Sequence, residues 1–123
     1  MYSTTGFDFF HGEAGHADLR LDDSLSTREQ LFEAYGQALQ FPGYFGKNWD
    51  AFIDCLSDLS WIDGDEVAIV HDALPALPPA DLRSYLECLQ DVLERLRPDD
   101  RPKPRFAFRE GDRERIESLF QTA

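Results

Sequence analysis

Three carboxylates recur at four-residue intervals in one short stretch of the chain: Asp50, Asp54 and Asp58. On a helix this spacing places them along one ridge, with no Lys or Arg between them to offset their repulsion. Each like-charged pair at this spacing costs roughly 0.2–0.5 kcal/mol, although the helix dipole favours a negative charge at Asp50 in the first turn. Such a ridge fits a basic binding partner, a metal-assisted acid–base site or an ordinary solvated helix face.

The residues around this ridge predict a short helix presented by a tight loop. Asn48 is a candidate N-cap, and Pro42 ends the preceding helical pattern. Between them, Gly43 and Gly46 permit the unusual backbone angles of a loop that presents Tyr44. The apolar residues that recur at helical spacing and predict a core-facing stripe are Trp49, Phe52, Ile53, Leu56 and Leu59. Of these, Ile53 is the one expected to reach the rim of a binding surface.

Composition restricts the kinds of partner. Twelve Lys and Arg residues against twenty-four Asp and Glu give a formal net charge of −12 over 123 residues. This charge disfavours direct binding to nucleic acid and to anionic membrane surfaces, since both require basic patches. It fits either a basic protein partner or a role in solubility alone.

Length and hydropathy predict a single domain over residues 1–123 that folds without disulfides, metals or cofactors. With 42% hydrophobic residues, the chain can bury a core. Its N-terminal stretch has neither a basic region nor a long apolar run, so we expect no secretory signal, no membrane span and a cytoplasmic protein.

Two cysteines, Cys55 and Cys88, fall within helical patterns beside core positions. Their wide separation matches neither a metal-binding spacing nor a disulfide framework, so we expect both to be reduced and structural.

Three histidines give the enzyme alternative its only further support. His11, Glu13 and His16 lie in a glycine-rich turn that could hold a metal, but their spacing matches no strong ligand motif. His71 follows an apolar strand at a place where α/β sites often form, without a visible nucleophile beside it. A metal-assisted hydrolase using Asp50, Asp54 and a histidine therefore stays a minor alternative, and we expect that the protein is not an enzyme.

The elements needed to position the ridge alternate between strands and helices. Residues 7–10 predict a first strand, and the alternation over 17–21 predicts a strand that returns along it as a hairpin. Ser26 and Glu29 give a capping-box signature for a helix that continues to Pro42. The continuous apolar run 67–70 predicts a central parallel strand covered on both faces. A long helix starting within 79–81 and ending before Pro98, a strand over 105–109 and a short terminal helix complete the chain.

This order predicts an α/β fold: a small three-layer domain with a mainly parallel three-stranded sheet flanked by helices and a possible extra N-terminal hairpin strand. A helical extension over 111–123 follows the last strand. We find no internal repeat and no linker.

The loop and the acidic helix resemble the barstar family of intracellular ribonuclease inhibitors. The residues in the family's order and spacing are Pro42, Tyr44, Phe45, Gly46, Asn48, Asp50, Ala51, Asp54, Cys55 and Leu56. Two regions differ from the family pattern: residues 16–23 form a longer first connection, and residues 111–123 extend beyond the usual final strand. Ile53 stands where barstar itself carries tryptophan, and Lys47 stands where an acid is common.

The resemblance implies an antitoxin or immunity protein that is a monomer when free and that inhibits a basic ribonuclease or related toxin. Asp54 would be the principal anchor in the enzyme's active site, with Asp50 as a second charge, Tyr44 as an aromatic contact and Asp58 at the rim. A second acidic patch on the long helix would be filled by Asp91 or Glu94. Gly43, Gly46 and Asn48 would shape the loop. A barstar-like fold that binds a partner other than a ribonuclease stays open as an alternative.

Overall fold

The computed structural model describes residues 6–42 and 47–121. In these parts of the chain, strands and helices alternate in the order expected of an α/β protein. They are β1 (Asp8–Phe10), β2 (Leu19–Leu21), α1 (Arg28–Ala38), α2 (Trp49–Asp58), β3 (Glu66–His71), α3 (Pro79–Arg95), β4 (Lys103–Arg109), a 3₁₀ turn (Glu110–Asp112) and α4 (Arg113–Gln121).

The strands form one parallel sheet in the order β1-β4-β3-β2. This confirms the α/β class and the parallel sheet, with four strands in place of the expected core of three. β3 lies in the interior of the sheet, and its residues from Val67 to His71 are buried. The prediction of a central strand at 67–70 is therefore confirmed.

The prediction of an N-terminal hairpin is wrong. β1 and β2 lie at opposite edges of the sheet, and β2 pairs in parallel with β3, with Leu19 opposite Ile69. Just before β2, Asp18 makes two hydrogen bonds to Ala68. Its backbone N–H donates to the Ala68 carbonyl at 2.9 Å, and its carboxylate accepts from the Ala68 N–H at 2.8 Å. The alternation of apolar residues had shown which face of the strand is buried, but it carries no information about the neighbouring strand.

α1 begins with a capping box, one residue later than the sequence signature. Thr27 is the N-cap: its hydroxyl accepts from the Gln30 backbone N–H at 3.1 Å. The Gln30 side chain in turn accepts from the backbone N–H groups of Thr27 at 3.3 Å and Ser26 at 2.8 Å. Glutamine takes the role expected of Glu29, because a capping box requires only an acceptor at the third helical position.

α3 is the longest helix, and it spans the predicted range. Its Pro79 occupies the first helical position, where the missing N–H needs no partner, and it ends at Arg95, before Pro98. None of the helices in the described parts of the chain combines the length and the apolar character needed to cross a membrane.

Side-chain alternation along the strands divides the sheet into two different faces. One face carries Ile69, His71, Phe106 and Phe108, and these meet the buried side chains of the four helices. The contacts that join helices to this face include Tyr85 on His71, with ring centroids 5.8 Å apart, and Phe120 on Phe7 at 6.2 Å.

The opposite face is small and polar. Ala68, Val70 and Ala107 are buried there, and arginines project beside them. Arg20 and Arg109 donate to the backbone carbonyls of Gly15 and Gly12 and so tie the segment that follows β1 to the sheet. Both faces of β3 are therefore covered, but the described helices lie on the first face alone in place of the expected three layers.

A chain of buried polar groups crosses the centre of the core. The Tyr35 and Tyr85 hydroxyl oxygens lie 2.7 Å apart, and the Tyr85 hydroxyl lies 2.7 Å from His71 Nε2. His71 Nδ1 lies 2.9 Å from the Ala107 carbonyl oxygen. The chain joins α1, α3, β3 and β4, and its three side chains are fully buried.

The direction of this chain follows from the Ala107 carbonyl. A carbonyl only accepts, so His71 Nδ1 carries the hydrogen. Burial lowers the pKa of His71 from 6.5 to about 4, against weaker opposing effects of the Ala107 carbonyl and Asp72, so the ring is neutral at pH 7. Neutral Nε2 must then accept from Tyr85, whose oxygen accepts from Tyr35. Each hydrogen bond in the chain thus has a single donor.

We expect His71 to make the fold acid-sensitive. The unfolded chain, with a histidine pKa near 6.5, binds this proton more readily than the folded chain. The free energy of unfolding should therefore hold its full value above about pH 6.5 and fall by about 3 kcal/mol as pH drops to about 4. Urea unfolding at several pH values across this range measures the fall.

The matched variant for this measurement is His71→Gln, which keeps a polar side chain but cannot titrate. It should be less stable than the wild type at pH 7 and lose less stability between pH 6.5 and pH 4. Equal losses in the two proteins over this range would contradict the assignment to His71.

The two tyrosines should differ in their contributions. Tyr85→Phe removes both the donor to His71 and the acceptor for Tyr35, so we expect a loss of about 2–3 kcal/mol. Tyr35→Phe removes only the first donor of the chain and should cost about 1 kcal/mol. Urea unfolding of both variants at pH 7 tests the order, and a larger loss for Tyr35→Phe would contradict the direction of the chain.

Candidate functional site

The start of α2 is fixed by its cap, as the sequence predicts. Asn48 has extended backbone angles, and its side-chain oxygen accepts from the Ala51 backbone N–H at 2.8 Å. Asp50 lies in the first turn, where the positive end of the helix dipole stabilises its negative charge. Tyr44, Gly43 and Gly46 lie outside the described residues.

The inner side of α2 is anchored in an aromatic cluster. Phe52, Cys55 and Leu56 are buried, and the Phe52 ring stands edge-on to Tyr35 with centroids 4.8 Å apart. Trp49 is half-buried and meets Phe32 edge-on at 4.9 Å. These contacts hold the helix in one rotation about its axis, and that rotation decides which side chains face outwards.

Ile53 does not join the outer face. It is only 8% exposed and belongs to the hydrophobic core. The expectation that its side chain reaches a binding rim is corrected accordingly: the anchoring of α2 through Phe52 and Leu56 turns the neighbouring Ile53 inwards. Ile53 supports the ridge of Asp50, Asp54 and Asp58 from beneath and leaves little area for a partner to touch.

The acidic ridge of Asp50, Asp54 and Asp58 is exposed, as the spacing predicts. No cation lies within the ridge in sequence, but the middle residue meets one from another helix. Arg95, at the end of α3, places Nη1 3.3 Å from Asp54 Oδ1. The two side chains are 54% and 70% exposed, respectively. For Asp50 and Asp58, the described parts of the chain provide no ion pair.

A second group of acids lies on the adjacent helix α3. Asp91 is half-buried, Glu94 is exposed, and Glu87 pairs with Arg83 at 3.5 Å. α2 and α3 pack against each other, and Asp54 of α2 meets Arg95 of α3 across the two helices.

Carboxylates of α2 and α3 contribute to the raised pKa values of the two buried thiols, Cys55 and Cys88. Burial raises the pKa of Cys88 to about 12, with further contributions from Asp91 and Glu87 on its own helix and from Asp50 on α2. Burial also raises the pKa of Cys55, followed by Asp54 and Asp58. Both cysteines are unpaired and buried, as predicted, and neither is an accessible nucleophile. We call six exposed or half-buried carboxylates of these two packed helices the acidic face: Asp50, Asp54, Asp58, Glu87, Asp91 and Glu94.

The other candidate residues do not assemble into a site. His11 and His16 are exposed, and His16 pairs with Asp18 at 3.3 Å. His71 is the last residue of β3 and is committed to the buried chain with Tyr85 and Ala107. Within residues 6–42 and 47–121, no three His, Cys, Asp or Glu side chains are grouped so as to hold a metal ion.

Sequence reasoning missed Arg95 as a member of the site. It lies 41 residues from Asp54 along the chain. The available signal was its position in the last turn of a helix, where a cation complements the helix dipole. That signal explains why a basic residue is favoured there but does not reveal which carboxylate it meets.

Comparison with known proteins gives one match. The family model described as "Barstar (barnase inhibitor)" matches residues 17–120, which includes α2, α3 and nearly all of α4 and begins after β1. No curated protein and no solved structure matches significantly. The family match covers well over half of the chain and includes the capped acidic helix with its core anchors, so the chain belongs to the barstar family.

Proposed function

We propose that this protein inhibits a basic ribonuclease of the barnase type, or a related basic toxin, inside the cell. The observation that carries the proposal is the exposed ridge of Asp50, Asp54 and Asp58 on a helix whose inner side is fixed in the core. The description of the matching family as barnase inhibitors supports it. The protein would act by binding and not by catalysis.

The chemistry of inhibition is mimicry of substrate charge. A ribonuclease binds RNA phosphates with Arg, Lys and His side chains, and carboxylates can occupy the same cationic positions. Four residues of an α-helix rise about 6 Å, so the three aspartates present charges at regular intervals along one line. In this proposal Asp54, at the middle of the ridge, is the principal anchor, and Asp50 is a second charge.

Preorganisation supports tight binding. The Asn48 cap and the ring contacts of Phe52 hold α2 in place before any partner arrives. A rigid helix loses little conformational freedom on association, so more of the interaction free energy appears as affinity. The net charge of −12 would also attract a basic enzyme at long range and speed its encounter.

The rest of the proposed surface extends from the ridge in two directions. Asp91 and Glu94 on α3 would supply the second acidic patch, since both lie on the helix that packs beside α2. Tyr44 is proposed as an aromatic contact, and Gly43 and Gly46 as loop-shaping residues, on the family resemblance alone. Ile53 has a supporting role under the ridge because it is buried.

We expect Asp54→Asn to weaken inhibition by about thirtyfold or more. A carboxylate paired with active-site cations in a complex contributes about 2 kcal/mol or more, a rule drawn partly from the barnase–barstar complex itself. Stability should change by less than about 1 kcal/mol, because the Asp54–Arg95 pair is exposed. Residual RNA cleavage by barnase and by a panel of other small basic ribonucleases, with urea unfolding in parallel, measures both effects.

The matched control is Asp23→Asn, which makes the same change of charge at an exposed position between β2 and α1. It should inhibit nearly as well as the wild type. If Asp54→Asn loses stability but keeps its affinity, Asp54 is not the anchor. If the wild-type protein inhibits no member of the panel, the proposed ribonuclease target is wrong.

Asp58, at the C-terminal end of α2, should act mainly on the rate of association. Asp58→Asn is expected to slow binding a few-fold at low salt and to reduce the dependence of that rate on salt, while dissociation stays nearly constant. Stopped-flow measurements with the inhibited ribonuclease at several ionic strengths test this. A change confined to the dissociation rate would place Asp58 within the contact instead of at its rim.

A further inference from the structure

The ion pair between Asp54 and Arg95 is the one described ion pair that joins α2 to α3. It consists of a single contact, Nη1 to Oδ1 at 3.3 Å, at the long end of hydrogen-bond distances. The structure gives no second contact between these two side chains. Asp54 therefore has one oxygen directed at Arg95 and accepting capacity left for another donor.

Arg95 is held near Asp54 by more than this contact. It is the basic residue in the last turn of α3, where the negative end of the helix dipole favours a cation. Arg95 would therefore stay close to the ridge when its bond to Asp54 opens. Because both side chains are more than half exposed, opening is easy.

A cation that approaches Asp54 meets Arg95 there already. It must either displace the guanidinium or share the carboxylate with a like charge a few ångströms away. We propose that Arg95 is an internal competitor that lowers the affinity of Asp54 for any incoming cationic group. The inference rests on the proposed function only in taking a basic protein as the natural source of that group.

The competition is local to the middle of the ridge. Asp50 and Asp58 have no ion pair among the described residues, so their charges stay available for attraction at a distance. A partner would then be attracted by the whole acidic face but would contact Asp54 only by displacing Arg95 or by sharing the carboxylate with it. This arrangement discriminates in favour of partners that place a strong donor, such as a bidentate guanidinium, directly on Asp54.

The structure offers a matched control for this competitor. Arg83 lies twelve residues before Arg95 on the same helix, a rise of about 18 Å. It pairs with Glu87 at 3.5 Å and not with Asp54. Arg83→Gln and Arg95→Gln change the net charge equally. Any difference between them reports on the location of the charge and not on its amount.

Titration with a hexa-arginine peptide, followed by NMR at the Asp54 backbone and carboxyl signals, tests the inference without a ribonuclease. Arg95→Gln should bind the peptide at Asp54 about two- to fivefold more tightly than the wild type. Arg83→Gln should produce a smaller gain. In an Asp54→Asn background, Arg95→Gln should give no more gain than Arg83→Gln.

Equal gains from both arginine variants would reduce the effect to bulk charge and overturn the inference, as would unchanged or weaker binding by Arg95→Gln. The peptide result decides the role of Arg95 even if the protein inhibits no ribonuclease, in which case the proposed function fails by itself. If barnase or another ribonuclease is inhibited, the same variants should shift the inhibition constant in the same order.

Discussion

The acidic face depends on a hydrogen-bonded chain that lies behind it. Tyr35, Tyr85 and His71 connect α1 and α3 to the carbonyl of Ala107 in the sheet. Each hydrogen bond between them has one possible donor. Phe52 of α2 packs edge-on against Tyr35 and lies 6.0 Å from the ring of Tyr85. The rotation of α2 is thus set by aromatic rings whose positions are fixed by buried polar groups.

The buried polar groups of Tyr35, Tyr85 and His71 therefore have a structural role in the core. Buried hydroxyl and imidazole groups are costly when unpaired, so a partly formed network would destabilise the fold more than an apolar one would. Full pairing favours one arrangement of α1 and α3 over others of similar apolar burial. It also explains why His71, at the strand end where ligands often bind in α/β proteins, is not available for chemistry: both of its ring nitrogens are already committed.

The predictability of each feature from sequence followed the range of the interaction that determines it. Local features were predicted well: the Asn48 cap, the limits of α3 and the buried strand at 67–70 all depend on neighbouring residues. Features set by distant contacts were not. β2 pairs with β3 instead of β1, and Arg95 reaches Asp54 from another helix, because neither a two-residue alternation nor a helix-end charge identifies its partner. Ile53 belongs to the same class, since its burial follows from how α2 is rotated by contacts with α1 and α3.

The pairing of charges differs between the sheet and the acidic face. On the polar face of the sheet, Arg105 pairs with Asp8 at 3.1 Å and Glu66 at 3.2 Å, and Arg20 pairs with Asp72 at 3.0 Å. Positive and negative charges therefore largely cancel there at short range. On the acidic face, Arg83 pairs with Glu87 and Arg95 pairs with Asp54. The other four carboxylates of this face have no ion pair among the described residues. A cationic group near this face would be attracted by these carboxylates together, whereas the paired charges of the sheet would contribute little.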